Sequence, residues 1–414
     1  MPRIGRRGAL LTGAALTAAA ASMTGKAGLL VTGQSNAGFF IDDGGIRTLN
    51  EGLAALLGIE RARFDPRLAG IKDLDGYALW DGFHRSPAMA TARGGTPLWA
   101  PDDRDAFLLH EPGVHPSRWR RGAAGEALDR FVRDLMTERD RADCLGILWL
   151  HTEDDSRRMR MRDAAAHAAA IRRHLSLTRA AFGRPAAGPG GLPAYGWAPI
   201  PFGDSAEGHR AVRAALAEVA DDPARNFRLA VAQTADSEPR DNGRDWAHRD
   251  PEDLRAFARR AAYAIARHLR PRRDSSFFAG LPGAGPRIAE AVAEGAETTV
   301  AVVEHDRGRA LKANRAALDG IGWSAFDEGR PRIVKAIELR GADRIALRHE
   351  PCTGPPERRE VGYCLLGEQL GRGNAVTDDW SGIGAILPRG FDAAWRFDFP
   401  LQATLRPVAA RPGR

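Results

Sequence analysis

Two short stretches, far apart in the chain, carry residue types that can do chemistry together. Leu29-Leu30-Val31-Thr32-Gly33-Gln34-Ser35-Asn36 is an apolar run ending in a turn that presents a serine. Asp245-Trp246-Ala247-His248 sets a carboxylate and an imidazole three residues apart. A serine hydroxyl is a weak nucleophile and needs a base within hydrogen-bond reach. Histidine suits that task because its ordinary pKa lies near neutrality. A carboxylate partner fixes its tautomer and stabilises its charge. The three types therefore point to acyl transfer, with Ser35 attacking, His248 moving the proton and Asp245 orienting His248. Each stretch alone reads as an ordinary polar turn, and Ala37 breaks the Gly-x-Ser-x-Gly elbow pattern.

The elements around these residues must hold them in place. A Gly after a buried strand permits a sharp turn and leaves the following amides pointing outward. Asp245 and His248 read as a loop pinned by the helix that follows. Asp250 is its N-cap candidate, Pro251 fits the first helical position, and Glu252 and Asp253 suit the positive helix end. Leu254, Phe257, Ala261, Ile265 and Leu269 give that helix a core-facing stripe. Between the two stretches, Cys144 to Leu150 is a continuous apolar run, predicted as a buried parallel strand. It delivers His151, Glu153 and Asp155 at its carboxyl end, where open α/β sheets bind ligands. His151-x-Glu153-x-Asp155 has the donors of a metal site, but no Cys-x-x-Cys or second His pair accompanies it, so no metal is expected.

Further helices are predicted from Gly122 through Glu138, from about Met159 to Phe182, and from Glu207 to Ala220. Strands are predicted over Leu192 to Ile200 and Phe227 to Ala232. This alternation predicts a parallel sheet with helices on both faces. Residues 38–116 read as long loops with one short helix, Asn50 to Leu57. Trp80, Phe83, Trp99 and Phe107 are candidates for a sugar-facing cleft, with core packing the expected fate of most. Pro271 to Pro286 reads as a linker. Beyond Gly295 come short β-type runs: Thr298 to His305, Ile333 to Leu339, Arg344 to Arg348, Glu360 to Leu366 and Trp395 to Leu405. Gly341-Ala342-Asp343 looks like a hairpin connection. These runs predict a β-sandwich. The expected division is 1–26, 27–270, a linker at 271–295, and 296–414.

The chain has 414 residues, 43% hydrophobic and 27% charged, an ordinary globular composition. The formal charge of +7 rests almost wholly on arginine, since Lys stands only at positions 26, 72, 312 and 335. Arginines are interleaved with acids along helices, so no nucleic-acid partner is expected. Residues 1–26 have two readings. Arg6-Arg7 before a mildly apolar, Ala-rich run suit a twin-arginine export signal, giving a periplasmic or secreted protein. Alternatively Met23 is the true start and the protein is cytoplasmic. No later run is long enough for an integral membrane segment. After export, Cys352 and Cys364 could pair, and Cys144 reads as a buried thiol.

Taken together, Gly33-Gln34-Ser35-Asn36, Trp149-Leu150-His151-Thr152-Glu153-Asp154-Asp155 and Asp245-x-x-His248 resemble three blocks of the SGNH hydrolases. Within them they resemble the sialate O-acetylesterase and plant-type carbohydrate esterase branch. Arg225 to Val231 and Asp236 look like that branch's strand leading to the Asp-His loop. The resemblance spans roughly residues 27 to 270, and the order of three separated blocks makes it specific. It implies a three-layer, flavodoxin-like α/β fold and a serine esterase acting on acetylated carbohydrate or another small ester, without a cofactor. It implies a catalytic Ser35, Asp245 and His248. The oxyanion would meet the amides of Ser35 and Gly122, with Gly125 as alternate, helped by His151. Gln34, Asn36 and Glu153 would support them. Two departures stand out. His151-Thr152 replaces the family's Gln-Gly, and an imidazole nitrogen donates only in one tautomer or when charged. Ala37 replaces a Met. Two other readings remain open: a non-catalytic or weakly catalytic glycan-binding protein on an esterase fold, and a lipase or thioesterase, for which no apolar acyl groove is evident.

Overall fold

The computed structural model describes residues 27–56, 73–74, 77–81, 98–100, 106–151, 155–156, 163–188, 190–198, 206–243, 245–269, 280–365, 371–383 and 391–410. The N-terminal segment, Phe83, Glu153 and residues 271–279 of the expected linker lie outside them.

The first strand, β1 (Ala27–Gly33), leads into α1 (Ser35–Asp42) and α2 (Gly45–Leu56). Two short strands follow, β2 (Asp73–Leu74) and β3 (Tyr77–Asp81). A small sheet joins β4 (Trp99–Ala100), β5 (Leu108–Leu109) and β6 (Arg120–Arg121). After it come α3 (Ala123–Arg130), α4 (Glu138–Asp143), β7 (Cys144–Leu150) and α5 (Ala164–Ala181). The unit continues with β8 (Ala194–Trp197), α6 (Ala206–Asp221) and β9 (Phe227–Val231). It closes with the turn α7 (Arg240–Gly243), β10 (Asp245–Arg249) and α8 (Pro251–Leu269).

The main sheet has the order β2-β3-β1-β7-β8-β9. Every pair is parallel except β2–β3. Counting only the parallel strands in chain order gives 2-1-3-4-5, the doubly wound arrangement. The chain leaves β1 toward β3 on one side and runs from β7 to β9 on the other. Right-handed crossovers then put α1 and α2 on one face and α5 and α6 on the opposite one. The last helix, α8, packs against α2. Order reverses between β1 and β7, and that switch point opens the crevice where ligands bind in such sheets.

The helix expected over Gly122 to Glu138 is broken. It runs only to Arg130, ends in a π turn at Phe131–Leu135, and restarts at a capping box. Thr137 accepts from the Asp140 amide at 3.1 Å, and the Asp140 carboxylate accepts from the Thr137 amide at 2.9 Å. Such reciprocal bonds make a helix start rather than a helix interior.

Beyond α8 the sheets are antiparallel. One joins β11 (Arg287–Ala293), β12 (Thr298–Glu304), β17 (Arg344–His349) and β16 (Val334–Arg340). A second joins β15 (Arg330–Arg332), β14 (Trp323–Asp327), β18 (Arg359–Tyr363) and β20 (Thr404–Pro407). A ribbon pairs β13 (Leu311–Ala313) with β19 (Val376–Asp378). The hairpin at Gly341 forms as expected, with Arg340 opposite Arg344 and Gly341 at φ 72°. The strand expected over Trp395 to Leu405 does not form as one element. Trp395 sits in a short 3-10 turn, and Trp395, Phe397 and Phe399 gather around the Tyr263 ring of α8. The Tyr263 hydroxyl donates to the Trp395 carbonyl at 2.6 Å. Aromatic packing on α8 replaces ladder pairing there. All three cysteines are buried free thiols, so Cys352 and Cys364 are not paired. Among the described residues, no helix is long and apolar enough to cross a membrane.

Candidate active site

Register places the serine turn. Gly33, the last residue of β1, lies opposite Leu150, the last of β7. The Gln34 amide donates to the Leu150 carbonyl at 3.0 Å. A Cβ at Gly33 would stand 1.8 Å from that carbonyl oxygen, so only glycine lets the two strands close up here. Ser35 is the first residue of α1 and is partly exposed at the carboxyl edge of the sheet. Its amide belongs to the first helical turn, whose N–H groups have no intrahelical acceptor.

Asp245 and His248 lie on a short strand rather than in the expected loop. Isolated bridges Pro239–Arg249 and Arg240–Asp245 fold it back across the α7 turn as a hairpin. His248 Nδ1 and Asp245 Oδ2 are 2.6 Å apart, and the second carboxylate oxygen accepts from the Ala247 amide at 3.1 Å. Burial pushes the Asp245 carboxyl up. The hydrogen bond and charge of His248, with the Ala247 and His248 amides, outweigh it and hold the carboxyl below its usual range. With Nδ1 on the carboxylate, Nε2 is the nitrogen left for a substrate or nucleophile.

Two contacts bring the stretches together. The Asn36 side-chain amide donates to the Ala247 carbonyl at 3.1 Å. One turn along α1, the Phe39 ring lies 4.6 Å from the His248 ring. Arg240 stacks on Phe39, 4.3 Å from its centroid, and is ion-paired with Asp43. Phe39 is thus held between a guanidinium and the imidazole. The sequence reading missed Phe39 and Arg240; the available signal was Phe39 four residues after Ser35 on the same helix face.

The base of the hairpin is tied down from the C-terminal part of the chain. Gly371 donates its amide to the Ala235 carbonyl at 3.1 Å. The Arg372 amide donates to Glu238 at 2.7 Å, and its guanidinium donates to Asp253 at 2.8 Å. Asp253, nearly fully buried in the first turn of α8, also accepts from the Glu238 amide at 2.7 Å. Asp250 caps α8 as expected, accepting from the Glu252 amide at 2.9 Å.

The expected oxyanion groups are placed differently. Gly122 does stand at the head of α3, but its amide donates to the Phe107 carbonyl at 3.1 Å. That N–H is engaged within the fold. A Cβ at Gly122 would meet the Ala106 carbonyl oxygen at 2.1 Å, which accounts for the glycine by close approach alone. His151 follows β7 at the switch point, yet its side chain is wholly enclosed. Its ring stacks on Trp149 at 5.2 Å and meets the Phe107 edge at 5.1 Å. His151 Nε2 lies 3.3 Å from Asp155, whose carboxylate accepts from the Leu98 amide. Trp149 also stacks on His174, which contacts Arg121 at 3.0 Å through Nδ1. Burial, then the charges of Arg121 and His151, hold His174 well below its usual pKa. Phe107 therefore packs in the core and does not line a cleft. Gln34 is buried behind the turn, and Asn36 bridges to the hairpin.

The arrangement is a doubly wound α/β unit with an Asp–His pair beside a serine at the switch point. A family model described as a PAS domain matches residues 30–88. That segment is not a separate unit, since β1 is an interior strand of the sheet reaching Val231. No curated protein matches the chain. Among solved structures, it is similar to a carbohydrate acetylesterase from Xanthomonas citri, with 14% identity over 92% of this chain and 80% of that one, at a TM-score of 0.49. It is also similar to the N-terminal part of a bacterial S-layer protein, with 10% identity over 90% of this chain and 57% of that one, at a TM-score of 0.20.

Proposed function

We propose that the chain is a serine esterase that removes acetyl or other short acyl groups, with carbohydrate as the acyl carrier. The observation that carries the reading is the 2.6 Å His248–Asp245 contact, held beside the Ser35 turn by Asn36 and Phe39. Ser35 attacks the ester carbonyl and His248 accepts its proton through Nε2. His248 then returns that proton to the leaving alcohol, and water releases the acid in a second cycle. Asp245 keeps Nδ1 protonated throughout. The Ser35 amide meets the oxyanion at the N-terminus of α1. The carbohydrate carrier is inferred from the family resemblance of the three sequence blocks.

One observation favours a second reading, a weakly catalytic or non-catalytic binder. The Gly122 amide is engaged and the His151 ring is enclosed, so two of three expected oxyanion donors are turned inward. Acetate release from acetylated glycans and from a small aryl acetate separates the two. Ser35→Ala is expected to lower kcat by roughly a thousandfold or more, and a fluorophosphonate probe is expected to label Ser35. Unchanged turnover or labelling in Ser35→Ala removes Ser35 from the mechanism. Sugar binding without acetate release establishes the binder.

A further inference from the structure

Phe39 and Phe40 are neighbours on α1 with different surroundings. Phe40 is 1% exposed and fills the core, whereas Phe39 is half-buried at its edge. The Phe39 ring meets the His248 ring at 4.6 Å and an interplanar angle of 60°, and the Arg240 guanidinium lies over it at 4.3 Å. Both terminal nitrogens of Arg240 donate to the Asp43 carboxylate, on the residue that directly follows α1. Arg255 of α8 donates to the Asp43 carbonyl at 3.1 Å. Asp43 thus joins α1, the hairpin and α8 at one point. A helical side chain covers the turn N-terminal to its own Cα, so Phe39 leans back toward Ser35, four residues earlier.

We propose that Phe39 is a positioning residue for His248 and that Arg240 acts through it. The proposal rests on the esterase reading above. In one turnover the imidazole has to meet two groups, the Ser35 hydroxyl and the leaving alcohol, with Nε2 in the same place each time. The Nδ1 contact with Asp245 restrains one atom of the ring, and the His248 side chain is 20% exposed on a short hairpin. An aromatic ring packed against the imidazole blocks the swing that this hydrogen bond leaves open. Arg240 in turn holds the Phe39 ring by a cation–π contact, and pairing with Asp43 keeps that cation in place. With its fork engaged by Asp43, Arg240 is a brace and not an anion receptor. A displacement of about 1 Å in a group of this kind costs roughly a hundredfold in rate.

Steady-state kinetics on an aryl acetate, with the far-downfield proton NMR signal of the His248 Nδ1–H on Asp245, test this in the full chain. His248→Asn, which lacks the signal, assigns it. Phe39→Ala is expected to lower kcat roughly ten- to a hundredfold with KM little changed, and to broaden the signal by solvent exchange. Phe39→Tyr, which keeps the flat ring, is expected to restore both. Arg240→Gln is expected to lower kcat in the wild-type background and hardly at all in Phe39→Ala. Melting temperatures show whether each variant is folded; if Phe39→Ala is not, Phe39→Leu, which keeps the apolar volume, takes its place. Unchanged kcat or an unchanged signal on loss of the ring overturns the proposal. So does a rise in KM alone, which makes Phe39 a substrate contact, or full multiplication of the Phe39 and Arg240 losses. A wild-type chain without ester turnover defeats the esterase reading instead, and the NMR signal then decides whether Phe39 orders the imidazole.

Discussion

Acidification should destabilise the protein through its buried imidazoles, among them His167, His174 and His268, and a single substitution isolates the share of one. His167 is fully buried on α5. Burial pushes it down to about 4; the Asp155 carboxylate opposes that shift and His151 adds to it. The unfolded chain binds a proton at this residue near pH 6.5, and the folded chain only near pH 4. Between those values the unfolded state holds more protons, so stability falls as pH falls. Integrated from pH 7 to pH 4, the loss is about 3 kcal/mol. Asp253 works in the opposite sense. Burial pushes it up to about 6, the Glu238 amide and Arg372 oppose that, and Asp236 adds to it. Its folded form takes up a proton first, offsetting about 2 kcal/mol of acid loss over the same window. Urea unfolding followed by tryptophan fluorescence at pH 7 and pH 4 measures both. His167→Gln should lose about 3 kcal/mol less than wild type on acidification, and Asp253→Asn about 2 kcal/mol more. Parallel losses in wild type and His167→Gln would refute the reasoning, because the residue would then titrate alike in both states.

Asp245→Asn should lower kcat by roughly a thousandfold or more with little change in melting temperature, since it removes the group that fixes the His248 tautomer; steady-state kinetics on an aryl acetate check it. Gly33→Ala should destabilise by on the order of 3 to 4 kcal/mol, because its Cβ would collide with the Leu150 carbonyl, and denaturant titration reads the loss. His151→Ala and His151→Gln divide the roles of that residue. If the ring acts on the oxyanion, kcat falls in the first and recovers in the second; if it is a packed interior histidine, both lower the melting temperature with kcat little changed.

Elements whose burial is decided locally were legible in the sequence. Cys144–Leu150 has the bounds its apolar run implies, and α8 starts at Pro251 behind its Asp250 cap. What escaped depends on partners distant in the chain. In β11 the pattern is broken by a register shift between Ile288 and Glu290, so period two is lost. The β14 strand alternates in burial, but Ser and Ala at Trp323-Ser-Ala-Phe-Asp mute the hydrophobic signal. At the site, Asp245 and His248 were visible by type and spacing, whereas their hairpin depends on pairing with Pro239 and Arg240. The engagement of the Gly122 amide depends on the Phe107 carbonyl, and the enclosure of His151 on the Phe107 ring, neither of which is local in sequence.

The tie from Gly371 and Arg372 to the hairpin means that the carboxylate and imidazole do not hold their geometry on the strength of their own unit alone. Local opening of the C-terminal strap removes donors from Ala235, Glu238 and Asp253, and these brace the turn from β9 into β10 and the start of α8. These contacts couple the anchoring of residues 371 and 372 to the turn on which the Asp–His pair sits, alongside the Asn36 and Phe39 contacts from α1. The part of the chain with the least chemistry of its own thus braces the turn that carries the chemical pair.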